Sequence, residues 1–81
     1  MYLDDVKQIL TDVLNLGPAG AALDAGSPLL GALPELDSMA VVNLITALEE
    51  HFGIVVEADE ISADTFETLG ALAGFVAAKL A

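Results

Sequence analysis

The sequence predicts an all-α protein: a four-helix bundle of three longer helices and one short one, with a long loop between the first and second. Three observations carry this. Apolar residues recur at spacings of three and four in three separate stretches, which puts each set on one face of a helix. The one extended apolar run, Ile54-Val55-Val56, has no second run to pair with, so it reads as a packed connector. The chain also has no cysteine, so its core forms from aliphatic packing, and 56% hydrophobic residues supply it. At 81 residues the chain, 1–81, is expected to be one domain. It buries about 60–65% of its unfolded surface, too little for a deep cleft between two lobes.

The first helix spans Leu3–Leu14, with Leu3, Val6, Leu10, Val13 and Leu14 on one stripe. Asp4 and Asp5 fall in its first turn, where the helix dipole favours negative charge. Gly17-Pro18 is expected to end it. Asn15 to Asp37 is a long connection rich in Gly, Ala and Pro. A structureless loop of that length is unusual. It has room for a helical turn near Ala19–Leu23, and Ser27-Pro28 resembles a cap with a first-turn proline. Leu29, Leu30, Leu33 and Leu36 read as anchors over the core.

The second helix runs from Ser38 to His51 or Phe52, with Val41, Leu44, Ile45, Leu48 and Phe52 inward. Asp37 suits its N-cap and Gly53 its C-terminal stop. Glu57–Glu67 is acidic and broken, and Ser62–Phe66 reads as the short helix, with Ser62 as cap and Phe66 as plug. Thr68 caps the last helix, Leu69–Leu80, whose core stripe is Leu69, Leu72, Ala73, Val76 and Leu80. Gly70, Gly74, Ala77, Ala78 and Ala81 give it a small-residue face, either packed closely on a neighbour or an unselected surface.

Thirteen acidic residues oppose two basic ones, for a net charge of −11. Lys7 and Lys79 cannot neutralise a nucleic-acid backbone, and an anionic membrane surface repels such a chain. Partners with basic patches are favoured. Mean hydropathy is +0.70, but no stretch offers the roughly 20 apolar residues of a membrane span. The first residues lack a basic start and an apolar signal region. A cytoplasmic monomer is expected.

No catalytic constellation assembles. Ser38 has only His51 to activate it, thirteen residues on. That separation is about 20 Å along a helix, beyond hydrogen-bond reach. Glu57, Asp59, Glu60 and Asp64 lack the spacing and glycine of a calcium loop, so no metal is expected. What remains is Asp37-Ser38-Met39. A helix N-terminus suits a phosphate, yet Asp-Ser-apolar is, by itself, an ordinary cap.

Around that triplet stand Leu33 and Leu36 before it and Ala47-Leu48-Glu49-Glu50-His51-Phe52-Gly53-Ile54 after it. Ile61-Ser62-Ala63-Asp64-Thr65-Phe66-Glu67-Thr68-Leu69-Gly70-Ala71-Leu72 follows. In this order and at this length, the chain resembles the acyl carrier proteins of the phosphopantetheine-binding family. The resemblance implies an acyl-carrier-like bundle in which Ser38 takes a 4′-phosphopantetheine arm from coenzyme A. The arm's thiol would hold cargo as a thioester, a thiol borrowed where none is encoded. It also implies that the chain is not an enzyme, since its partners do the chemistry. One departure stands out: many carriers have Gly three residues before the serine, and this chain has Glu35.

The outer face of the second helix holds Met39, Val42, Asn43, Thr46, Glu49 and Glu50. The resemblance implies that this face, with Asp37, docks a phosphopantetheinyl transferase and acyl-activating ligases or synthases. Apolar anchors ringed by carboxylates also suit a basic groove. Alternatively, Met39 and Val42 meet the Leu29–Leu36 loop. The expected function is a stand-alone carrier of acyl intermediates in fatty-acid, polyketide or other specialised biosynthesis. A peptidyl or aminoacyl carrier shares the layout. From another class, an acidic helical adaptor with no prosthetic group would act through its surface alone.

Overall fold

A computed structural model describes residues 2–81 of the protein. Its elements are α1 (Leu3–Leu14), α2 (Pro18–Ala21), α3 (Ser38–Phe52), 3-10 turns at Ala58–Glu60 and Ala63–Phe66, and α4 (Leu69–Leu80). Among the described residues there is no strand, only an isolated antiparallel bridge between Pro28 and Thr68. The three long helices occupy the three periodic stretches.

Helix α1 packs against α2, α3 and α4. Contact on several sides widens its apolar arc, and Ile9 is buried with Val6, Leu10 and Leu14. Leu44 and Leu48 of α3 and Leu69, Leu72 and Val76 of α4 complete the centre of the core. Tyr2 meets Phe52 edge to face, with ring centroids 5.7 Å apart, tying the start of α1 to the end of α3.

Gly17-Pro18 does not end α1. Asn15 does, in the left-handed region at φ 55°, with its N–H bonded to the Thr11 carbonyl. Asn tolerates that conformation better than most residues. Gly17-Pro18 opens α2 instead, with Pro18 in the first turn, where a missing N–H costs little. Nor does Ser27-Pro28 start a helix. The Ser27 hydroxyl turns back to Asp24 at 3.2 Å, and the chain from Ala25 to Leu30 lies along the start of α4. There Leu29 N–H donates to the Glu67 carbonyl at 3.0 Å, Leu69 N–H to Ser27 at 3.1 Å and Gly70 N–H to Ala25 at 2.8 Å. Leu29 and Leu36 are buried and Leu33 half-buried, but Leu30 is 45% exposed. A loop pinned by its backbone needs only some of its leucines.

Ala63–Phe66 forms a 3-10 turn rather than an α-helix, with Ser62 at its N-cap and Phe66 buried as its plug. Thr68 caps α4, its hydroxyl accepting from Ala71 N–H at 3.0 Å. Leu80, expected in the core, lies on the last turn and is 36% exposed. The small-residue face divides. A Cβ on Gly70 would stand 2.8 Å from the Ala25 carbonyl oxygen, so close packing is real there, whereas Gly74 faces open space.

Candidate functional site

The loop delivers the chain to α3 through a tight turn. Leu36 N–H donates to the Leu33 carbonyl at 3.0 Å and Asp37 N–H to Glu35 at 3.1 Å. Leu36 is buried beneath it. Asn15 is the one non-glycine residue with positive φ among those described, so Glu35 makes this turn in ordinary backbone space. That explains how a chain without glycine at this position still presents the helix start.

Asp37 then adopts an extended conformation, and its Oδ1 accepts from Ala40 N–H at 2.8 Å. Its carbonyl accepts from Val41 N–H at 2.9 Å. Among the described residues, the Ser38 and Met39 amides donate to no other group. Ser38 is exposed, the first residue of a 15-residue helix. An uncovered hydroxyl beside two free amides, at the positive end of a helix, is chemically suited to a phosphate ester. His51 lies on the last turn of the same helix, exposed and edge-on to Phe52 with centroids 4.7 Å apart. Ser38 and His51 thus sit at opposite ends of α3.

The outward face of α3 stays open. Met39 is 69% and Val42 57% exposed, so neither is covered by the Leu29–Leu36 loop. Asn43 and Thr46 are exposed too, and Glu50 is exposed at the edge of this face, beside Asp12 of α1 and His51. Glu49 is half-buried, and its Oε2 accepts from Val56 N–H at 2.9 Å. The two neighbouring carboxylates therefore stand in different surroundings.

Sequence reasoning did not find the groove beside this face. It holds about 200 Å³ and is lined by Val42, Ile45, Thr46, Val56, Glu57 and Ile61. Beyond it Val55 is 67% exposed. The Ile-Val-Val run after Gly53 is the only sequence signal for it, since alternation buries Ile54 and turns Val55 outward.

Within the acidic stretch, Glu60 has a structural role. Glu60 accepts from Glu57 N–H at 2.8 Å and pairs with Lys79 Nζ at 2.7 Å, bracing the 3-10 turn against α4. The Glu57 amide, then Lys79, hold the Glu60 carboxyl below its usual range. No group of three His, Asp or Glu that could hold a metal occurs among the described residues. Among the described residues, no helix is long and apolar enough to cross a membrane.

A family model described as the phosphopantetheine attachment site matches residues 4–76. The chain is also similar to the solution NMR structure of a holo acyl carrier protein from Nitrosomonas europaea. Identity is 64% and the TM-score 0.92, over 99% of this chain and 96% of that one. No curated protein sequence matches.

Proposed function

Since the chain belongs to the phosphopantetheine attachment site family, we propose that it is an acyl carrier whose attachment residue is Ser38. It is a carrier and not an enzyme. Ser38 Oγ accepts phosphopantetheine from coenzyme A in phosphodiester linkage, the nucleotide half leaving. When bound, the group supplies the thiol that carries an acyl chain as a thioester.

The observation that supports Ser38 is its place: exposed, first in α3, beside amides that no other group uses. Those amides offset the charge of the phosphodiester. Asp37 keeps the helix start fixed by taking the Ala40 amide, so the serine hydroxyl is not consumed as a cap.

The docking surface is the open face of α3 with Asp37: Met39, Val42, Asn43, Thr46, Glu49 and Glu50. Its apolar centre and acidic edges suit the basic patch of a phosphopantetheinyl transferase or of an acyl-loading or acyl-processing enzyme. An acyl cargo is supported by likeness to a holo acyl carrier protein; fatty-acid or polyketide assembly in the cytoplasm is the setting we propose for it.

Ser38 is one of three serines, with Ser27 and Ser62. Fragment-ion mapping of the loaded chain tests the assignment. The added mass is expected on the peptide containing Ser38, and finding it on Ser27 or Ser62 contradicts the proposal.

A further inference from the structure

We infer that Glu49 and Glu50 do different work: Glu49 is a positioning residue that holds one wall of the α3 groove, while Glu50 presents its charge outward. The inference deepens the docking-face reading, but its structural part does not depend on Ser38 being loaded. Residue 49 grips the chain reversal twice. Its carbonyl accepts from Gly53 N–H at 2.9 Å, closing the helix. Its carboxylate then reaches seven residues ahead to the Val56 amide, also at 2.9 Å.

That second bond joins the two sides of the groove. Val42, Ile45 and Thr46 come from α3, while Val56 and Glu57 come from the connector. Ile54 is buried and anchors the connector at its root, but Val55 points outward and anchors nothing. Among the described residues, the Val56 amide has no other acceptor. A bond to a half-buried carboxylate is stronger than a neutral surface one. The bond therefore sets how far the Val56 wall stands from α3, and with it which apolar groups the groove admits. Glu50 makes no such bond. It is exposed on the side of α3 that faces α1, near Asp12 and His51.

Amide hydrogen exchange on the unmodified full-length chain tests this. Glu49→Ala removes the acceptor, Glu49→Gln keeps a carbonyl oxygen in its place, and Glu50→Gln alters only the neighbour. The expected result is Val56 exchange about tenfold faster in Glu49→Ala, with core amides such as Val76 unchanged and with protection largely restored in Glu49→Gln. Glu50→Gln leaves Val56 exchange as it was. Unchanged Val56 exchange in Glu49→Ala overturns the inference. So does equal acceleration at Val56 and Val76, which marks general destabilisation, or failure of Gln to rescue. Because nothing is loaded, a chain that never accepts phosphopantetheine would leave this result intact.

Discussion

Asp37 and Ser38 divide one junction between them. The aspartate carboxylate takes the third amide of α3, which leaves the serine hydroxyl and the first two amides free for a phosphate. Replacing Asp37 with Ala removes the cap and is expected to cost about 1 kcal/mol, measured as a lower midpoint in urea. An unchanged midpoint would mean the cap bond contributes nothing to folding. Asp37 was legible as a cap because capping is local and depends on residues three apart. The Glu49 bond to Val56 was not legible. It depends on the path of the backbone after Gly53, where φ is +68°, and no side-chain pattern encodes that path. The Gly-to-Glu35 departure was visible in the sequence, but that the turn closes without positive φ required the backbone itself.

The long helices were readable end to end, because amphipathic periodicity, Asp37, Thr68 and Gly53 all act within a turn or two. The connection from Asn15 to Asp37 was not. It is held by backbone bonds to the start of α4, and a backbone bond leaves no trace in side-chain pattern. Besides the buried Leu29 and Leu36, its side-chain signature on α4 is Gly70, kept small by the Ala25 carbonyl. The two glycines of α4 therefore predict opposite effects. Gly74→Ala fills open space in a helix interior and should stabilise by up to about 1 kcal/mol. Gly70→Ala should destabilise, since a Cβ there displaces the loop that positions Leu29 and leads on to Ser38. Thermal unfolding of both variants checks this, and a gain in both would mean the loop yields without cost.

Across the whole molecule, 13 acidic residues against two basic ones make self-repulsion a standing cost of the compact state. Raising sodium chloride from about 10 mM to about 150 mM shortens the Debye length from about 30 Å to about 8 Å, and the unfolding midpoint should rise. A fall would show that local ion pairs outweigh the net field. One such pair has a pH signature. Glu60 is held below its ordinary value of 4.5 by the Glu57 amide and by Lys79. Its contribution is therefore fully present above 4.5 and is lost as pH falls through the lower folded value. Glu60→Gln should unfold more readily than the parent at pH 7, with the difference closing in acid. The same acidity lines the open face of α3, where apolar Met39 and Val42 stand between carboxylates. It suits partners that bring basic patches, while the chain itself brings an exposed serine. The order of motifs along the chain was enough to read the family, because those motifs also set the ends of the long helices. Cargo and pathway were not readable, because the chemistry that selects them belongs to the partners. The central claim is that Ser38 alone carries the prosthetic group, and the direct measurement is intact mass after incubation with coenzyme A and a phosphopantetheinyl transferase. The parent chain should gain the mass of one phosphopantetheine and Ser38→Ala none. A parent chain that stays unmodified with several promiscuous transferases, or a Ser38→Ala chain that still gains the group, would contradict it.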